Sequence, residues 1–209
     1  ELDPQDVVAY AARGLIYGRR FEYTKAIKDL SRAIELSPKS NLPYCLRGFA
    51  YYRTAKYDNA IKDYSKAIEF APKDAEAYYR RGLAYRSIGE CAKAIKDYNR
   101  AIRLNPKDAK LYYYRGLAYR KTGRSGKAIE DFSSAIALDP KAAVAYYYRG
   151  LAYSKMGEYG KAVKDLSRAI ALDPKDAWSY YERGRVYKKC KELGKAAADE
   201  KIYKSLRKN

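Results

Sequence analysis

A chain of 209 residues with 44 Lys and Arg against 25 Asp and Glu has a formal net charge of +19 and no histidine. The missing imidazole excludes Ser-His and Cys-His nucleophiles, a histidine general base and histidine metal ligands, while the positive field draws acidic partners such as peptide, nucleic acid or anionic lipid. No stretch approaches ~18 consecutive apolar residues, so no membrane span is predicted, and Cys45, Cys91 and Cys190, scattered and without a CxxC pair, read as reduced thiols of a cytoplasmic chain with no disulfide frame, metal or cofactor.

The opening ELDPQD matches ALDPKD at Ala171–Asp176. Residues 1–6 therefore read as the tail of a preceding repeat, and the chain as a cut from a longer array. Two helices of roughly 13 residues, A and B, are then predicted in each of the copies 7–40, 41–74, 75–108, 109–142, 143–176 and 177–209. Helix A is expected to begin after a capping Asp6, Ser40, Asp74, Asp108 or Asp176. In the middle copies it stops at Gly89, Gly123 or Gly157, where glycine enters the left-handed cap conformation. Helix B ends at Pro38, Pro72, Pro106, Pro140 and Pro174, each 34 residues from the last, because proline lacks the donor and its ring clashes with the preceding turn. The first helix, with Val7, Val8, Ala9, Ala11 and Ala12, is apolar enough to be a stacking surface for a second copy. In the last copy Glu200 and Lys204 replace signature residues, and Ala196–Lys208 reads as a helix with one polar face, closing the array against water.

Inside the copies an Arg-Gly pair recurs at Arg13-Gly14, Arg47-Gly48, Arg81-Gly82, Arg115-Gly116, Arg149-Gly150 and Arg183-Gly184, with a Tyr four before and three after each Gly. Ala26, Ala60, Ala94, Ala128, Ala162 and Ala196 keep step, followed four residues later by Leu30, Tyr64, Tyr98, Phe132, Leu166 and finally Glu200. This order at this period resembles the tetratricopeptide repeat family over essentially the whole chain. Tyr stands where the family usually has Trp, and Arg where it usually has Leu before the Gly. The resemblance implies an all-α tetratricopeptide-type solenoid, a right-handed superhelix of antiparallel helix pairs with A helices lining an inner groove, and a noncatalytic protein-protein interaction scaffold. The residues with which some members grip a chaperone's C-terminal carboxylate are missing: Ala11 or Cys45 stands in place of Lys, Leu15 and Phe49 in place of Asn, and Glu76 with Arg80 on the third A helix.

A glycine inside a helix costs ~1 kcal/mol relative to Ala, so its recurrence points to close helix approach. Gly116 is expected to face Ala128, Ala135 to admit the next A helix, and Tyr112, Tyr119, Phe132, Ile136 and Leu138 to fill the gaps. The twelve signature tyrosines then read as core. The recurrent Arg is expected to pair with Asp29, Asp63, Asp97, Asp131, Asp165 or Asp199 on helix B, a ligand-binding role being the alternative.

Spacings of three and four along helix A place Tyr79 with Arg86, Lys110 with Tyr113 and Arg120, Tyr147, and Trp178 with Tyr181, Arg185 and Lys188 on one stripe per copy, edged by Lys121 and Lys155. A ladder of Tyr beside cations suits an acidic or phosphorylated segment of another protein, since Tyr, Trp and Arg are common binding hot spots. Two alternatives remain at this stage. Single-stranded RNA can stack its bases on Tyr while Arg and Lys follow the phosphates, and the apolar first helix can drive self-assembly by end stacking.

Overall fold

The computed structural model describes residues 5–207; Glu1–Pro4 of the expected repeat tail and Lys208 of the expected last helix lie outside them. Among the described residues the chain is all helix and turn. Its helices are α1 (Val7–Arg19), α2 (Tyr23–Leu36), α3 (Asn41–Arg53), α4 (Tyr57–Phe70), α5 (Ala75–Ser87), α6 (Cys91–Leu104), α7 (Ala109–Lys121), α8 (Ser125–Leu138), α9 (Ala143–Lys155), α10 (Tyr159–Leu172), α11 (Ala177–Lys189) and α12 (Leu193–Leu206). Odd-numbered members are the A helices and even-numbered members the B helices of six tetratricopeptide-type pairs. The chain forms two compact units, Glu1–Pro106 and Lys107–Asn209.

Aspartate caps do what their position demands. Asp74 accepts from the backbone of Glu76 and Ala77, and Asp6, Asp108 and Asp176 act likewise, satisfying donors the helix itself leaves free. Ser40 does not cap α3. Its third helical residue is Pro43, which has no N–H for a serine to accept from. At the other end of the A helices Gly89, Gly123 and Gly157 take positive φ of 86, 77 and 79°. There Glu90 N donates to Tyr85 O at 2.9 Å, closing a Schellman turn. Phe21, Ala55 and Lys191 adopt the same conformation, at φ of 63, 58 and 61°, without being glycine.

In the first unit each helix packs on its sequence neighbours, and α1 also touches α3 and α3 touches α5; α7, α9 and α11 repeat this in the second unit. Three A helices thus lie side by side on one face of each unit. Small residues permit the approach: Ala26, Ala60, Ala94, Ala128, Ala162 and Ala196 are at most 1% exposed. The glycine opposite meets the large residue of helix B rather than the alanine alone. A Cβ on Gly116 would lie 2.8 Å from the Phe132 ring. Leu138, expected in the core, is 41% exposed, because it sits on the last turn of α8 where the chain turns away at Pro140.

The Arg-Asp pairs form in all six helix pairs. Nε and Nη2 of Arg149 donate to Oδ2 and Oδ1 of Asp165 at 2.7 and 2.9 Å, a fork repeated by Arg13–Asp29, Arg47–Asp63, Arg81–Asp97, Arg115–Asp131 and Arg183–Asp199. The fork's carboxylate, nearly buried, holds the Arg149 guanidinium above its ordinary pKa. The third arm was not foreseen. Nη1 of Arg149 reaches back to Ser133 on the preceding pair at 2.9 Å, and Arg47, Arg81 and Arg183 do the same with Ser31, Ser65 and Ser167. The signature tyrosines are only partly buried. Several pack against the core clusters, as Tyr17, Tyr51, Tyr119 and Tyr153 do, and they also wall the ion pair: the Arg149 guanidinium lies 5.6 and 6.0 Å from the Tyr146 and Tyr153 ring centres, close enough for cation–π attraction.

Candidate functional site

The A-helix face of the second unit gathers most of the residues expected to bind. Ladder tyrosines change their environment along the chain with the size of the helix B residue facing them. Tyr79, in the first unit, is 8% exposed and packs against Tyr98 at 6.3 Å between ring centres. Tyr113 meets Phe132 at 6.1 Å and Tyr148 at 5.8 Å. Tyr147 faces the smaller Leu166 in its helix pair and stays half-buried; burial, with Glu182 adding, pushes its phenol up to about 12. Tyr181 is 36% exposed and lies 4.9 Å from Tyr203.

Two hollows divide this face. One, of about 470 Å³, is framed by Tyr113 of α7, Val144, Tyr147 and Tyr148 of α9, and Trp178 of α11. Trp178 is 52% exposed and stands edge-on to Tyr181. Asp173 and Asp176 from the turn before α11 edge this hollow, so its rim is acidic. The other, about 340 Å³, lies toward the C-terminal ends of the same helices and is lined by Arg120, Leu151, Lys155, Glu182, Arg185 and Lys189. Here four cations surround one carboxylate, and Glu182 is already held by Arg185 at 3.1 Å. Arg120 reaches across from α7 to lie 4.9 Å over the Tyr148 ring, with its Nε buried and without a hydrogen-bond partner. The stack fixes the guanidinium plane, and the cluster leaves positive charge uncompensated at that end.

The remaining expected residues fall elsewhere. Lys110 turns to Asp108 at 3.5 Å, Lys121 is exposed outside both hollows, and Arg86 belongs to the first unit. Lys188 pairs with Glu200 of α12 at 3.0 Å. Tyr148, Glu182 and Asp173 were not singled out from the sequence, and Asp176 was read there only as a helix cap. Tyr148 carries a helical spacing of four from Val144, and that spacing was the available signal. Burial pushes the Cys45 thiol up to about 12, which disfavours the nucleophilic thiolate, and its Sγ donates to Asp74 Oδ2 at 3.9 Å. No cluster of metal-ligating groups and no helix able to cross a membrane occurs among the described residues.

The family model for the TPR repeat matches residues 22–54, 56–89, 82–123, 116–157 and 150–190. Among solved structures the chain resembles the crystal structure of MamA, at 28% identity and TM-score 0.74 over 77% of this chain and 94% of that one. It also resembles pilF of Pseudomonas aeruginosa, at 20% identity and TM-score 0.81 over 96% and 91%. YrrB, a TPR protein with an unusual peptide-binding site, aligns at 22% identity and TM-score 0.76 over 86% and 92%. No curated protein matches the chain.

Proposed function

The chain belongs to the TPR repeat family, and from that premise we propose that it is a noncatalytic interaction scaffold whose second unit holds a segment of a partner protein across α7, α9 and α11. The observation that carries this reading is the pairing on one face of an aromatic hollow with a cluster of four cations around a single paired glutamate. An apolar side chain of the segment enters between Tyr113, Tyr147 and Trp178. Carboxylates or a phosphate further along it meet Arg120, Lys155, Arg185 and Lys189, where a guanidinium gives bidentate recognition and the charge speeds encounter. The acidic rim at Asp173 and Asp176 sets direction, since the acidic end of the segment is repelled there and drawn to the other end. Three free thiols fit a reducing, cytoplasmic setting.

The test is direct binding of a labelled peptide with a central Phe and three Asp or phosphoserine residues on one side, with a 20-nucleotide single-stranded RNA measured in parallel over a salt series. Micromolar binding of the peptide, lost in Arg120→Glu with Lys155→Glu, is expected. Tighter binding of the RNA, with a slope of about 0.7 per phosphate contacted, would move the reading to nucleic acid. Peptide affinity unchanged in the double variant would overturn the groove assignment.

A further inference from the structure

We propose that the outer face of the last helix pair is a second docking site, taking an acidic amphipathic helix of a partner protein that inserts one Leu- or Phe-sized side chain beside Gly184. In the five preceding pairs that space is filled from within. A Cβ on Gly14, Gly48, Gly82, Gly116 or Gly150 would lie 2.7, 3.0, 2.7, 2.8 or 2.9 Å from Leu30, Tyr64, Tyr98, Phe132 or Leu166. At Gly184 the nearest atoms are instead Asp199 Cβ and the Ala196 carbonyl, at 3.3 and 3.4 Å. The residue in the filling position, Glu200, turns its carboxylate outward between Lys188 and Lys204, at 3.0 and 2.9 Å. It leaves a hollow of about 120 Å³ bounded by Tyr181, Gly184, Ala196 and Tyr203. An apolar cavity of ~150 Å³ in another protein takes up benzene, so the space suits one large side chain.

The fold itself says what shape of partner covers this face. The corresponding face of earlier pairs carries the next A helix: α3 on α1 and α2, α5 on α3 and α4, α9 on α7 and α8, and α11 on α9 and α10. The incoming residue complements the one it meets. Ala84 lies against the bulky Tyr64, Val186 against the smaller Leu166, and Leu30 is met by Ala50 with Leu46 beside it. With Glu200 withdrawn altogether, the complement is larger again. The rim carries Arg185, Lys188 and Lys204 against the one carboxylate, so acidic residues a turn to either side of the inserted one face cations. A second copy is a poor complement, because α1 presents Arg13 and Arg19 and no acidic residue. The site opens on α11 and α12 and shares only Arg185 with the cationic hollow above.

The probe is a labelled 18-residue alanine-based helical peptide with one central Leu and Glu three and four residues to each side. It is titrated into the full chain and followed by anisotropy and by the fluorescence of Trp178, the single tryptophan. Saturable binding is expected, weakened at least about tenfold when the peptide Leu is replaced by Ala. Glu200→Phe, which rebuilds the filler found at Phe132, should weaken it as much, with helicity retained and the melting temperature equal or higher. Lys204→Glu, an exposed change, provides the same loss through charge, and Lys62→Ala, an exposed change on α4, leaves binding unchanged. Equal binding by the Ala peptide, by a folded Glu200→Phe chain or by Lys204→Glu overturns the proposal, as does a chain that self-associates at high concentration while ignoring the peptide.

Discussion

The α7–α8 joint and the α11–α12 joint share one backbone arrangement and are filled in opposite ways. In the first, the Phe132 ring lies directly over Gly116 and stacks on Tyr148 of the next A helix at 5.9 Å. In the second, a glutamate stands in the ring's position and points at two lysines in solvent. The glycine survives in both, lying under the ring in the first and close to Asp199 Cβ and the Ala196 carbonyl in the second. Stability in this chain is therefore carried by the residue that occupies the joint, and a joint left empty becomes surface for something else.

That contrast can be broken most severely at its filled end. Phe132→Ala should lower unfolding free energy by about 3–5 kcal/mol through lost burial and an unrelaxed cavity, whereas Glu200→Ala should change it far less; denaturant melts of the two compare them. Removing the guanidinium next to each joint is the second test. Arg149→Ala leaves Asp165 buried without its partner and should cost about 3 kcal/mol. Arg13→Ala should cost clearly less, since the Arg13 side chain is 41% exposed against 18% for Arg149.

Smaller effects sharpen the comparison at the turns and the terminal ion pairs. Ala55 holds a left-handed conformation that glycine supplies in α5, α7 and α9, so Ala55→Gly should raise stability by about 1 kcal/mol, read as a higher melting temperature. The smallest expected change is with pH. Lys204 and Lys188 hold the Glu200 carboxyl down to about 2. A depressed carboxyl stabilises the fold above its unfolded pKa of ~4.3 and loses that contribution as pH falls toward the folded value. The wild type should therefore lose slightly more melting temperature than Glu200→Gln between pH 5 and pH 2.5, as order-of-magnitude limits of that window.

Much of this architecture was legible beforehand, for identifiable reasons. Helix starts followed from aspartates whose acceptors need only the neighbouring backbone, and the Arg-Asp pairs followed from two residue types recurring in step. Ser40 misled because its effect depends on Pro43, three residues on. The site was legible as a stripe but not as two hollows. Whether Tyr79 or Tyr181 meets solvent depends on the residue facing it from helix B, and the bulk there differs between Tyr98 and the withdrawn Glu200. The acidic rim at Asp173 and Asp176 was hidden because a turn aspartate and a cap look purely local until the next A helix brings Trp178 beside them.

The arm that Arg149 extends to Ser133 has a thermodynamic consequence. Because each such guanidinium is fixed by its own helix pair and grips the one before, melting a pair also releases a bond of its neighbour, which raises nearest-neighbour coupling relative to intrinsic stability. Arg47 grips Ser31 in this way, so loosening of the second pair also releases a bond of the first. Cutting that arm with Ser31→Ala should therefore weaken the coupling of the two pairs, read as a broader melting transition.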